Sequence, residues 1–333
     1  MKQLAVALAL SAMVSSAIAQ QPISLVAQKH IDAARAAAGS EHQAIFKNVC
    51  DSAVAFATPA PARPAARPAA PAAASPAQSE WYAEPQKVFD NLYYVGMTEY
   101  SVWAITTSQG IIVLDAIFDY SVEAEVDQGL RKLGLNPADI KYVIVSHGHG
   151  DHAGGAKYLQ EKYGAHVVMS AADYDLLDRQ NPRWKPKRDM VVTDGQKLTL
   201  GDTTVTLYLT PGHTEGTIST IFPVRDGRAQ HTVATWGGTA FNFGPNRDRL
   251  KMYSQSADRF LEIAKQAKAD VLLSNHTVFD GSKVKMPELK TRKAGDPHPY
   301  VVGPEVVQRF VTTVGECAKA AVETTAPASA GSR

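Results

Sequence analysis

Cysteine is scarce in this chain: Cys50 and Cys317 are the only two in 333 residues. They allow at most one disulfide, which in an oxidising compartment would tie an N-terminal segment to a C-terminal helix. Long apolar runs are missing too. The longest, Leu4 to Val14, falls short of the ~20 residues a membrane-spanning helix needs, so no membrane span is expected. Charge bias is also absent, the formal net charge being +1. That leaves no broad basic field of the kind nucleic-acid binding depends on. The Arg63 and Arg67 pair lies in a proline-rich tract and not on a folded face.

What is present is ordinary globular material, 45% hydrophobic and 20% charged, enough for one large domain with appendages. Met1-Lys2, the apolar run and the small-residue site Ala17-Ile18-Ala19 have the three regions of a secretory signal peptide over residues 1–19, which predicts a periplasmic or secreted protein. Residues 20–57 carry two short helical patterns and are too few to fold alone. Residues 58–80 form a Pro/Ala-rich linker of semi-rigid, extended character. The domain proper is expected over 81–322, followed by a disordered tail at 323–333.

Within 81–322 the patterns of strand and helix alternate. Val88-Phe89, Leu92 to Val95, Val102 to Thr106 and Gly110 to Leu114 are short and rich in β-branched or aromatic residues, as strands are. A helix is expected from about Ser121 to Leu133, a buried strand at Lys141 to Ser146, a helix at Ala153 to Tyr163, a strand at Ala165 to Met169 and a helix at Ala171 to Arg179. Met190 to Val192, Lys197 to Leu200 and Thr203 to Leu209 read as hairpins around Asp194-Gly195 and Gly201-Asp202. A further hairpin joins Thr217 to Val224 with Ala229 to Trp236. Helices at Asp248 to Lys268 and Gly303 to Val322 flank a last strand at Ala269 to Ser274. The class implied is α+β: two mixed sheets packed between helical layers.

The densest chemistry lies at Val145-Ser146-His147-Gly148-His149-Gly150-Asp151-His152, where the buried strand ends and a loop begins. If the chain stays extended past Ser146, the side chains of His147, His149 and Asp151 point the same way, because strand side chains alternate. One catalytic zinc takes about three protein ligands and a water in a tetrahedron, so neighbours this close cannot all serve one ion without strain. Two metals are therefore implied. His213, in Thr210-Pro211-Gly212-His213-Thr214, again stands where a strand ends and is a candidate third ligand for the first metal. His276, after Val271 to Ser274, repeats the arrangement. His30, His42, His166, His231 and His298 have no partner ligand nearby in sequence and read as ordinary.

Together, His-x-His-x-Asp-His at 147–152, Gly-His-Thr at 212–214 and the late His276 resemble the metallo-β-lactamase superfamily, the αββα sandwich hydrolases, over roughly residues 85 to 320. The resemblance implies a four-layer αββα fold. It implies two Zn2+ per chain, with His147, His149 and His213 on the first and Asp151, His152 and His276 on the second. A hydroxide bridging them would be the nucleophile, with Asp151 also orienting it. No aspartate follows Trp236, where several branches of the superfamily place a bridging carboxylate, and this makes the chain most similar to the third subclass of metallo-β-lactamases. It departs from that subclass in having no serine at 237–239, where only Thr239 offers a hydroxyl.

The function implied is hydrolysis of a small molecule by a metal-bound hydroxide, foremost of a β-lactam amide. The alternatives are a lactone, an ester or an activated carbon–halogen bond, and, from another class, a periplasmic zinc-binding protein without catalysis. Asp115 is the candidate acceptor for a ligand N–H, or else a helix-side cap. Trp103, Trp184, Trp236, Phe241 and Phe243 are candidate pocket walls or core, and Asn275 and Thr239 candidate hydrogen-bonding groups. Nothing in the sequence sets an oligomeric state.

Overall fold

The β-branched runs pair into two sheets in the computed structural model, which describes residues 23–56 and 75–325. Two helices come first, α1 (Leu25–Ala38) and α2 (Gln43–Ala55), then a short turn of helix, α3 (Gln78–Trp81). Strands β1 (Gln86–Phe89), β2 (Leu92–Tyr94), β3 (Trp103–Thr107) and β4 (Gly110–Leu114) form an antiparallel meander. A π-helical turn at Glu123–Asp127 runs into α4 (Gln128–Lys132), and β5 (Ile140–Ile144) returns parallel to β4. After α5 (Gly150–Ala153) and α6 (Ala156–Tyr163), β6 (His166–Ser170) adds parallel to β5. Then α7 (Ala171–Gln180) leads to β7 (Met190–Val192), parallel to β6 at the edge of a seven-stranded sheet.

The second sheet has the order β12-β11-β10-β9-β8. Its strands are β8 (Gln196–Leu200), β9 (Thr203–Leu209), β10 (Ile218–Asp226), β11 (Ala229–Trp236) and β12 (Val271–Ser274), antiparallel except for the parallel β11–β12 pair. The 20-residue α8 (Arg247–Gln266) precedes β12. Helices α9 (Thr277–Asp280), α10 (Ser282–Thr291) and α11 (Pro304–Thr324) complete the described chain.

Side-chain alternation builds the layers. In β3 and β4, Trp103, Ile105, Ile112 and Leu114 join the core between the sheets, where they meet Leu207, Phe222 and Leu273. Their neighbours Ala104, Ile111 and Val113 face the opposite way, toward Val126, Leu130 and Leu159. A third core lies outside the second sheet, where Trp236, Tyr253, Phe260 and Phe310 pack beneath α8 and α11. The result is the expected αββα sandwich.

Ile31, Ala34, Ile45 and Val49 belong to that third core, so the N-terminal helices are an added layer on α11. A Cys50–Cys317 disulfide fastens them there. The expected signal peptide and most of the linker and tail lie outside the described residues. Among the described residues no helix is long and apolar enough to cross a membrane.

Besides the short helical turns α3, at the end of the expected linker, and α9, three elements differ from the sequence expectations. β7 does not pair with β8. The Asp194-Gly195 turn instead carries the chain from one sheet to the other, which a three-residue strand cannot announce. The expected helix at Ala153 to Tyr163 is interrupted at Gly154-Gly155, where the chain packs so close to Ala116 that a Cβ on Gly155 would lie 2.2 Å from its carbonyl oxygen. And α10 was not anticipated: it buries only Ser282 and holds Pro287 inside, so it has no apolar stripe to read.

Candidate metal centre

Strand ends converge on one edge of the sandwich. β5 delivers His147 and His149, β9 delivers His213, β12 delivers His276, and β4 delivers Asp115. Past Ser146 the chain turns so that His149 caps α5, which carries Asp151 and His152 back toward the same point. This helical turn does what an extended strand could not, bringing His152 onto the side of its neighbours.

The first group is set by backbone carbonyls. His147 Nδ1 lies 2.8 Å from the Gly237 oxygen and His213 Nδ1 lies 2.6 Å from the Ala240 oxygen. Carbonyls only accept, so both Nδ1 atoms carry the proton and both Nε2 atoms present bare lone pairs. These lone pairs face each other at 3.1 Å, and His149 Nδ1 is 3.0 Å from His213 Nε2. Three imidazoles stand edge-on to one another at interplanar angles of 83–90°. Lone pairs converging at this distance suit a shared cation.

The second group repeats the logic. His152 Nδ1 donates to Asp115 Oδ2 at 2.9 Å, leaving Nε2 bare, fully buried and without a hydrogen-bond partner, 3.1 Å from Asp151 Oδ2. His276 Nε2 approaches the same Asp151 oxygen at 3.9 Å, and its ring is 5.1 Å from that of His152. Ligand atoms of His147, Asp151 and His152 also lie within 4.8 Å of one another, so His147 borders both groups.

The chain matches the family model described as the metallo-beta-lactamase superfamily over residues 96–228. It is similar to the crystal structure of BJP-1, a subclass B3 metallo-beta-lactamase of Bradyrhizobium japonicum, with 31% identity and a TM-score of 0.59 over 70% of this chain and 91% of that one. The chain belongs to the metallo-β-lactamase superfamily. The native FEZ-1 metallo-beta-lactamase from Legionella gormanii shares the fold at 22% identity, with a TM-score of 0.57 over 68% of this chain and 91% of that one. A curated hydroxyacylglutathione hydrolase from Acidiphilium cryptum (strain JF-5) is 33% identical over 108 residues, which is 32% of this chain and 38% of that protein's length. This member of the superfamily is a metallohydrolase, and His147, His149 and His213 form a group that could hold a metal ion.

Electrostatics fit a cation. Burial, with help from the neighbouring imidazoles, holds His147 well below the usual histidine range and His213 at about 3, so both stay neutral, as a metal ligand must be. Burial likewise brings His276 down to about 4. His152 goes the other way. Burial opposes its protonation, yet the Asp151 and Asp115 carboxylates outweigh it and push the pKa up to about 10. Positive charge is favoured at that point, whether a proton or a metal ion brings it.

Two supports escaped sequence reasoning. Asp173 Oδ2 accepts from the Gly148 nitrogen at 3.0 Å and from Thr214 Oγ1 at 2.8 Å, joining the loop of His147 and His149 to the loop of His213. Arg249 reaches from α8 to the Gly212 oxygen at 2.8 Å and also to that of His213. Both act on loops far away in sequence, largely through backbone atoms, which leave no ligand spacing to read.

The expected pocket walls divide. Trp103, Trp236 and Phe241 are core, and Trp236 donates to the Tyr253 hydroxyl at 2.9 Å. Phe243 is partly buried beneath the Arg249 guanidinium. Trp184 stands beside the ligand loop, where a Cβ on Gly150 would be 3.2 Å from its ring. Tyr100, absent from the expectations, lies 5.2 Å from His276 and 5.1 Å from Phe118, which stacks on Tyr120. Thr239 and Asn275 are buried, and Asn275 Nδ2 donates to the Gly237 oxygen at 2.9 Å, bracing the acceptor of His147.

The remaining histidines hold partners of their own. His30 meets Glu316, His166 meets Asp189, His231 meets Asp270, and His42 and His298 meet the Val306 and Val88 oxygens.

Proposed function

We propose that the protein is a secreted two-zinc hydrolase that opens the amide of a β-lactam. The observation that carries this reading is the end of β11. Trp236-Gly237-Gly238-Thr239 supplies a carbonyl to His147 and no carboxylate to bridge the two groups, while His152 stands with Asp151 and His276 in the second. Similarity to a subclass B3 enzyme over 91% of that enzyme's length supports it.

When bound, paired zinc ions lower the pKa of water to about 7 and polarise a carbonyl. The protein supplies the rest. His147, His149 and His213 would hold the first ion, and Asp151, His152 and His276 the second. Burial works against ionisation of Asp151, but His152 and His276 hold its carboxyl well below the usual carboxylate range, so it is ionised across working pH and can accept a proton-bearing oxygen's hydrogen bond. Tyr100, Phe118 and Trp184 would flank the substrate and limit the access of bulk water.

A second reading, cleavage of a lactone, an ester or an activated carbon–halogen bond, is favoured by the missing serine at 237–239 and by the resemblance of one segment to a hydroxyacylglutathione hydrolase. Zinc analysis with a hydrolysis panel separates the two. Two zincs per chain and turnover of a carbapenem or cephalosporin is the expected result. Cleavage of esters or lactones with β-lactams untouched would give the second reading, and tight zinc binding with no turnover of any substrate would defeat both. Processing of the chain before Gln20 on export tests secretion.

A further inference from the structure

The core between the two sheets ends, next to the metal centre, in a cavity of about 30 Å³. Leu114, Ile144 and Ile218 close it on the core side. Its other lining includes Asp115, Ser146, Gly237 and Asn275, which support the ligand loops. The space is far too small for a substrate. One water, however, needs only roughly 10–15 Å³ and about two to four polar partners.

Those partners are there. Asn275 must turn its Nδ2 to the Gly237 oxygen, 2.9 Å away, because a carbonyl only accepts. The same NH2 group reaches Ser146 Oγ at 3.4 Å. Oδ1 is thereby fixed on the opposite side of the amide, where it is buried and has no hydrogen-bond partner among the described residues. Thr220 and Thr235 line the same cavity and share one hydrogen bond of 2.8 Å, while Thr235 Oγ1 also accepts from the Thr220 nitrogen. Two hydroxyls bring two hydrogens and their shared bond uses one, so whichever threonine donates, one hydrogen is left over. A bare acceptor and a spare donor thus border one small space. Leaving a buried amide oxygen unpaired is costly, and a water that bridges the two groups removes that cost.

We propose that this cavity is the site of one structural water, which donates to Asn275 Oδ1 and accepts the spare threonine hydrogen. The water holds the Asn275 amide in the orientation that braces the Gly237 oxygen, and that oxygen accepts from His147 Nδ1 at 2.8 Å. A chain of hydrogen bonds then runs from β10 and β11 to a member of the first histidine group. Asn275 is a positioning residue in this arrangement, acting through Gly237 without being a ligand itself. The water stands on the cavity alone, whereas its effect on zinc rests on the two-zinc reading above.

A crystal structure of the zinc-loaded full chain tests the site. One density peak should lie within about 2.7–3.2 Å of Asn275 Oδ1 and of a Thr220 or Thr235 hydroxyl oxygen. A featureless cavity, in a map that shows other buried waters, would overturn the proposal. Chelator competition tests the consequence. Asn275→Leu, close in size and without polar atoms, should weaken zinc binding roughly tenfold, the low end of losses behind a metal ligand. A merely structural asparagine would lower the denaturation midpoint and leave the zinc affinity of the folded variant unchanged, and that result would overturn the positioning role. If Asn275→Leu does not fold, the wild-type map decides. A wild type that binds no zinc would defeat the two-zinc reading instead, and its map would still test the water.

Discussion

Asp115 places one carboxylate oxygen 2.9 Å from His152 Nδ1 and the other 2.7 Å from the backbone nitrogen of Ser146, the residue before His147. One side chain thus fixes the tautomer of a second-group ligand and the start of the first-group loop. It does so at a φ of 64°, a left-handed conformation that aspartate and asparagine tolerate better than most residues. Asp115→Asn keeps the backbone fit and removes the charge. Zinc affinity at the second site should fall roughly tenfold to a hundredfold, as losses of such acceptors do. Titration against a chromophoric chelator measures it, and unchanged affinity would remove Asp115 from this role.

Gly237 and Gly238 make a contrasting pair. A Cβ on Gly237 would stand 1.8 Å from the Ile218 backbone oxygen, whereas one on Gly238 would stand 2.5 Å from the His213 side chain. Gly237→Ala should therefore cost the fold about 1–3 kcal/mol, as overpacking does, read as a lower denaturation midpoint. Gly238→Ala meets the buried His213 at its Cβ, which cannot swing aside, so it should also cost stability and, in addition, displace His213. Misplacement by about 1 Å can cost on the order of a hundredfold in turnover. Wild-type turnover by a folded Gly238→Ala variant would contradict the displacement of His213.

The candidate metal ligands could be picked out because their signal is local: His147, His149, Asp151 and His152 crowd six positions, and His213 and His276 stand where β-branched runs stop. The sheets were legible where short β-branched runs stand between turn residues, as at Ile111 to Leu114. Asp173 and Arg249 were not, since each works by holding backbone oxygens or nitrogens of loops far away in sequence. Tyr100 was hidden for a related reason. It reaches His276 through an isolated bridge between the chain after β2 and the chain after β12, a pairing that periodicity does not report. The sheet holding β7 follows from the turn after it and not from its three residues.

The disulfide should matter for stability more than for chemistry. Cys50 and Cys317 are separated by 267 residues and buried where α2 meets α11. Closing so long a loop restricts the unfolded chain, an effect typically worth about 2–5 kcal/mol. A Cys50→Ala/Cys317→Ala double variant should melt at a lower temperature, and reductant should lower the wild-type midpoint but not the variant's. Turnover at 25 °C should stay near the wild type's, since neither cysteine touches the metal ligands. A large loss of turnover in a folded variant would show that the N-terminal helices shape the site.

Glu125 gives the fold a pH dependence of its own. It is fully buried in the π-helical turn after β4, where one oxygen accepts the Ala83 N–H at 2.9 Å and the other has no partner. Burial pushes its pKa from about 4.5 up to about 8, against the pull of the Ala83 hydrogen bond. The folded protein then binds this proton more tightly than the unfolded chain does. Its contribution to stability is full below pH 4.5 and is lost as pH rises through about 8, a change of a few kcal/mol. Glu125→Gln keeps the acceptor for Ala83 and carries no charge at any pH. The variant should match or exceed the wild type at pH 8.5, and its advantage should shrink toward pH 5. Chemical denaturation at several pH values reads this directly, and parallel stability curves for the two proteins would show that Glu125 is not the titrating group.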